Sequence, residues 1–175
     1  MFLLLNGAFG IGKTTVATLL AREVPGARIY NPEQIGYVLR RLPGVVFGPA
    51  GKPDDYQDMA LWRWLIVGGA RRAHRRAAAV IVPMAFTNLA YLDAFADGLR
   101  ADGEVRRLCL VAQPQVVAER LAHRARSEGR AVTRFETRRS AQCLEAHVDP
   151  RFGEAIDATG SPARIVAEIR HRTSI

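Results

Sequence analysis

The stretch Gly7-Ala8-Phe9-Gly10-Ile11-Gly12-Lys13-Thr14 fits G-x-x-x-x-G-K-[ST] and sits between an apolar run, residues 2–6, and a segment of helical period, residues 14–23. A strand must therefore deliver its carboxyl end to a tight glycine-rich turn that opens directly into a helix. Glycines at 7, 10 and 12 can take positive φ, so that successive backbone N–H groups turn inward around an anion, and the helix dipole adds partial positive charge at the same point. Four more apolar runs, residues 27–30, 79–83, 105–111 and 155–158, alternate with helical patterns along the rest of the chain. They are apolar throughout rather than at alternate positions, which requires burial on both faces. The expected architecture is α/β: three layers, a five-stranded parallel sheet with helices on both faces and right-handed crossovers.

Composition narrows the class further. The 175 residues carry no linker or repeat, so residues 1–175 read as a single domain. Lys plus Arg outnumber Asp plus Glu by 25 to 17, a net charge of +8 that favours acidic partners, yet only Lys13 and Lys52 are lysines. The arginine cluster Arg71-Arg72-Ala73-His74-Arg75-Arg76 could face nucleic acid; at a helix C-terminus its cations equally complement the dipole, and no nucleic-acid partner is expected. Cys109 and Cys143 are isolated, the four histidines lack ligand spacing, and there is no G-x-S-x-G elbow, which disfavours metal hydrolysis and Ser-His-Asp catalysis. The start of the chain lacks a basic leader, and the longest later apolar stretch, residues 77–86, is half the roughly 20 residues a spanning helix needs. A soluble, cytoplasmic protein without stable membrane insertion is expected. The Pro/Gly-rich residues 43–53 read as a surface loop near the ligand mouth.

The phosphate cradle also sets the chemistry. Gly7, Gly10, Ile11, Gly12, Lys13, Thr14 and Thr15 are the residues expected to bind ATP, with Lys13 on the β/γ oxygens and the Thr14 hydroxyl on Mg²⁺. Chain length argues against the larger motor and AAA⁺ ATPases, which need coupling elements, and leaves a small kinase. Arg120 and Arg124 share a helical face and Arg126 precedes a Ser/Gly break, which reads as a hinged lid, residues 124–134, clamping the transferring group; a basic, exposed helix end explains the same arginines. Residues 155–162 read as strand, turn, an N-cap at Ser161 and Pro at the first helical position. Asp55 reads as a helix cap or as a carboxylate for the acceptor. Trp62 and Arg63 could hold a nucleobase or sugar, although a Trp at helical spacing is ordinarily core. Met84 and Phe86 fall at a strand's carboxyl end, where ligands of open α/β sheets bind.

Asn6-Gly7-Ala8-Phe9-Gly10, Tyr30-Asn31-Pro32-Glu33 with Gly36, Asp54-Asp55-Tyr56-Gln57, Leu61-Trp62-Arg63 and Ile81-Val82-Pro83-Met84 together resemble the tunicamycin resistance proteins. These belong to the small P-loop kinases that include shikimate, gluconate and chloramphenicol kinases. The resemblance spans nearly the whole chain and implies an ATP-binding P-loop NTPase/kinase fold that protects against a uridine-containing nucleoside antibiotic by phosphorylating a hydroxyl. It also implies that Thr159, Gly160 and Ser161 border the adenine, and that Asn31, Trp62, Arg63, Met84 and Phe86 lie on the substrate side. The family's strand-two motif often opens with Asp where this chain has Asn31, and an amide cannot serve as a general base. Glu33 is the nearest substitute, with Asp54 or Asp55 next. Strand three ends without the Asp that often supports magnesium, which leaves Thr14, the phosphates and Glu33. Three readings remain open: a drug phosphotransferase, an ATP-dependent protein that sequesters the drug without chemistry, and a kinase for a nucleotide or sugar-acid metabolite. A homodimer is compatible with all three.

Overall fold

The computed structural model describes residues 1–43 and 55–175, so most of the Pro/Gly-rich loop at 43–53, together with Asp54, lies outside the described residues. Five parallel strands form the sheet: β1 (Phe2–Gly7), β2 (Ala27–Ile29), β3 (Ala79–Pro83), β4 (Val105–Val111) and β5 (Glu154–Asp157), in spatial order β2-β3-β1-β4-β5. β1 is central, pairing Leu3 with Ile81 on one side and Leu5 with Leu108 on the other. The strands are joined by α1 (Lys13–Glu23), α2 (Glu33–Arg40), α3 (Ala60–His74), α4 (Leu89–Arg100), α5 (Pro114–Ser127), α6 (Arg134–Ala146) and α7 (Pro162–Thr173).

Period-two alternation along the buried strands sends side chains into two apolar layers. Leu3 and Leu5 join Val16 and Leu20 of α1 and Ile165 and Ile169 of α7. Phe2 and Leu4 join Trp62 and Ile66 of α3 and Leu92 and Phe95 of α4. A sheet buried on both faces is what the unbroken apolar runs require. The expected strand limits hold at β3 and β4, whereas β5 begins one residue earlier, after Gly153, whose φ of 142° a side chain would strain.

Because every strand runs the same way, their carboxyl ends share one edge, and the turns after β1, β2, β3 and β5 gather there. At the far end of α3, Arg71 donates to Gly98 O of α4 at 3.0 Å and pairs with Asp102 at 2.8 Å, tying the two helices together. Cys109 and Cys143 are free thiols buried in the interior. No helix of the described residues is long and apolar enough to cross a membrane.

Candidate functional site

The turn after β1 has the geometry of an anion cradle. Gly10 adopts φ 83°, and a Cβ there would come within 2.9 Å of Leu121 Cβ on α5, so the glycine is required both by conformation and by space. Gly12, the N-cap of α1, has φ 107° with nothing within 4 Å of the Cβ position; conformation alone demands glycine there, and the cradle stays open on that side. No side chain caps α1, which leaves its first N–H groups facing that open side. Ile11, by contrast, buries its side chain in the core and contributes main chain only.

Lys13 folds back over this loop. Its Nζ donates to Gly7 O at 2.9 Å and Ala8 O at 2.8 Å and lies 5.5 Å from the centre of the Phe9 ring. Burial lowers its pKa, and the nearby negative charge of Glu33 acts in the opposite sense. Thr14 and Thr15 are exposed on the first turn of α1. Just before α2, the Asn31 side-chain oxygen accepts from Glu33 N at 3.0 Å, so this amide fixes the start of the helix. The Glu33 carboxylate, half-buried, has no hydrogen-bond partner among the described residues.

The three arginines expected to act together are in three different situations. Arg120 donates to Ile11 O at 3.0 Å, Ala158 O at 2.6 Å and Thr159 O at 3.3 Å, tying α5 to the cradle and to the turn after β5. Arg124 pairs with Glu136 at 2.5 Å. The Arg126 side chain is exposed and has no hydrogen-bond or ion-pair partner among the described residues, while its carbonyl accepts from Gly129 N at 3.0 Å. The expected lid span, residues 124–134, is the last turn of α5, the connection and the start of α6, and it is closed by Glu136. That carboxylate also takes both Nη atoms of Arg130 at 2.8 Å and completes a capping box with Thr133. These bonds hold its pKa down at about 2, Arg130 contributing most. The turn after β5 is held by Asp157, which accepts from Thr159 N and Oγ1, both at 2.9 Å, and Ser161 caps α7 with Pro162 following, as its sequence predicts.

On the other side of the cradle, a cleft of about 360 Å³ is lined by the 55–58 turn, the segment after β3 and α6. Asp55 caps the short turn Tyr56–Asp58 rather than α3, accepting from Gln57 N at 2.9 Å. Arg63 donates to Gln57 O at 2.7 Å and lies over the Tyr91 ring at 4.3 Å, behind the cleft. The expectation that Met84 and Phe86 wall the substrate site is corrected, and of the two readings of Trp62, substrate side or core, the structure has the core one. The exposures of Trp62, Met84 and Phe86 are 0%, 2% and 0%, and they belong to the core. Trp62 turns inward to donate to Pro32 O at 3.2 Å, and Phe86 is drawn under by the buried Asn6, whose Oδ1 accepts from Phe86 N at 2.9 Å.

Sequence reasoning missed two residues that organise the site. Arg139, buried on α6, reaches Asp55 at 3.1 Å, Thr87 at 3.2 Å, Gln142 at 3.1 Å and Ala85 O at 3.2 Å. Glu136 was readable, since Thr133-x-x-Glu136 is a capping-box pattern; nothing distinguishes Arg139 from Arg138 beside it without the packing. Among the described residues no group of three or more His, Cys, Asp or Glu is arranged to hold a metal.

A family model described as AAA domain matches residues 2–147. The chain thus shares the core of that family, while its 175 residues leave no room for the added coupling elements of the larger AAA⁺ machines. The structure of a Deinococcus radiodurans tunicamycin resistance protein superposes with a TM-score of 0.75 at 28% identity, covering 99% of this chain and 95% of that one. A Sinorhizobium meliloti gluconokinase follows at 0.62 and 22%, covering 98% and 94%, and an Aquifex aeolicus shikimate kinase at 0.60 and 16%, covering 99% and 96%. No curated protein matches the sequence. The kinase-like P-loop fold and the resemblance to tunicamycin resistance proteins are thus borne out.

Proposed function

The chain belongs to the AAA domain family, and from that premise we propose that it is an ATP- and Mg²⁺-dependent phosphotransferase. Its acceptor is an alcohol group of a small molecule, with a hydroxyl of tunicamycin as first candidate. The observation that supports this reading is the cradle itself, with Gly10 and Gly12 at positive φ, an uncapped start of α1 and Lys13 folded over the loop, joined by Glu33, whose carboxylate has no hydrogen-bond partner among the described residues and whose charge acts on Lys13. A phosphate cradle alone binds; a carboxylate beside it can orient an acceptor hydroxyl and take its proton.

Phosphoryl transfer through a loose transition state asks the protein chiefly for positioning and charge. The uncapped first turn of α1 and the backbone of residues 7–14 would bind the phosphates. Lys13 would exchange its two carbonyl partners for phosphate oxygens, a short movement from a prepared position. The exposed Thr14 hydroxyl would be the protein's contribution to holding Mg²⁺, which when bound would supply charge neutralisation to the phosphates and keeps most of its ligands as water and phosphate. Arg120 would act by holding the cradle to residues 158–159, with Thr159, Gly160 and Ser161 bordering the base. Arg126, whose side chain has no partner among the described residues, would be the lid cation that reaches the transferring group, and Arg124 would join it on release from Glu136. Asp55, paired with Arg139, is a less available base than Glu33. A single cytoplasmic domain acting on a small molecule is consistent with these roles.

The test is mass spectrometry of tunicamycin after incubation with the protein, ATP and Mg²⁺, alongside a Lys13→Ala variant. A product heavier by one phosphoryl group, absent with the variant, is expected. Drug that binds but stays unmodified would mean sequestration, and drug that neither binds nor changes would return the search to a nucleotide or sugar-acid acceptor. Unchanged ATP affinity in Lys13→Ala would overturn the cradle assignment itself.

A further inference from the structure

The cleft beside the cradle contains a buried arginine, and what that arginine already holds determines what the cleft can accept. Arg139 is 6% exposed, and its guanidinium is committed to four groups: the Asp55 carboxylate, the Thr87 hydroxyl, the Gln142 side-chain oxygen and Ala85 O. A buried guanidinium with a free face would be a strong receptor for a carboxylate, because it offers paired donors in a water-poor setting. Here Asp55 supplies the counter-charge from within the chain, with one carboxylate oxygen 3.1 Å from one Nη of Arg139.

Asp55 is itself fixed. One oxygen accepts from Gln57 N at 2.9 Å and the other faces Arg139 at 3.1 Å, so both oxygens already have partners and the charge is held at the cleft wall. The other charged residues lining the cleft are Asp58, which accepts from the Tyr91 hydroxyl at 3.2 Å, and Arg138 at the exposed rim. Two carboxylates and two guanidiniums cancel, and the remaining lining is amide, hydroxyl and aromatic. The cleft adjoins the cradle, because α6 packs on it: Phe135 meets Phe9 edge to face at 6.0 Å and Ser140 donates to Phe9 O at 3.3 Å.

We infer that the Asp55–Arg139 pair is a specificity determinant that makes this cleft take uncharged polyhydroxy acceptors and reject acids. The inference rests on the phosphotransferase reading only in naming the cleft's occupant an acceptor. Arg139 is a positioning residue for Asp55 and not a catalytic one. An acidic acceptor would bring a second carboxylate against Asp55 in a partly desolvated site, where like charges are strongly unfavourable.

The experiment is a binding measurement with gluconate, a carboxylate-bearing polyol, against wild type, Asp55→Asn and the double variant Asp55→Asn/Arg139→Gln. The asparagine keeps an oxygen for the Gln57 N–H and removes the charge, so Arg139 is left cationic toward the cleft. Wild type is expected to bind gluconate at least tenfold more weakly than Asp55→Asn, and the double variant is expected to lose the gain. Wild type that binds gluconate as tightly as Asp55→Asn, or an Asp55→Asn variant whose gluconate affinity does not rise, overturns the inference. ATP affinity and circular dichroism, measured on all three proteins, establish that each is folded. Failure of wild type to bind ATP would sink the phosphotransferase reading while leaving the acid selectivity to be judged on its own result.

Discussion

Replacing Glu136 with Gln tests whether the hairpin between α5 and α6 is closed by one charge. The substitution keeps the helix and the capping partner, since Gln serves at that capping-box position, and removes only the negative charge shared by Arg124, Arg130 and Thr133. Glu136 titrates at about 2 in the fold against an ordinary 4.5. At about 1.4 kcal/mol per pH unit this corresponds to about 3 kcal/mol. Arg124 and Arg130 are 43% and 35% exposed, so solvent screens part of the attraction. A loss of about 1.5 kcal/mol at pH 7 is expected, which for a chain of this size lowers Tm by roughly 3–6 °C. The sign with pH is fixed by the depressed value: the contribution is complete above about 4.5 and disappears as pH falls toward about 2, so the gap between wild type and variant should close across that window. Differential scanning calorimetry between pH 3 and 7 reads both effects. Equal Tm at pH 7, or a gap that widens as pH falls, would refute the reasoning.

Two further substitutions examine the corrected core and the cradle. Trp62→Ala should cost about 4 kcal/mol in urea unfolding, from a fully buried indole and the lost bond to Pro32 O; a cost below about 1 kcal/mol would put Trp62 back on a substrate wall. Gly10→Ala should destabilise by about 1–2 kcal/mol and weaken ATP binding at least tenfold by calorimetric titration, because φ 83° and the 2.9 Å approach to Leu121 act together; wild-type affinity would show that the loop tolerates a side chain.

What could be read from the sequence was what depends on local pattern. Strands 79–83 and 105–111, the Gly12-to-α1 junction and the Ser161-Pro162 helix start each rest on a run, a spacing or a cap whose physics is confined to a few neighbours. Residues whose role depends on distant partners were read less well. Arg120, Arg124 and Arg126 share one helix and one charge, yet one meets main-chain carbonyls across the fold, one meets Glu136 and one meets solvent. Met84 and Phe86 lie at the correct end of β3, and Asn6, 80 positions before Phe86, decides that the latter points inward. Arg139 could not be singled out from a basic stretch, because its burial comes from the segment after β3 and the turn at 55–58, both far away in sequence.

Arg120 carries a consequence for variation among related chains. Among the described residues, its three side-chain bonds all go to carbonyl oxygens of the main chain, at Ile11, Ala158 and Thr159, and none goes to a side chain. The link therefore places no demand on the identity of the residues it joins. Positions 11, 158 and 159 are free, as far as this link is concerned, to drift with the ligand or with the core, whereas position 120 has no substitute that spans the same three oxygens: lysine has a single ammonium, and a shorter side chain reaches none of them. An alignment of relatives should show an invariant arginine facing partners that change, with no co-varying residue to betray the connection.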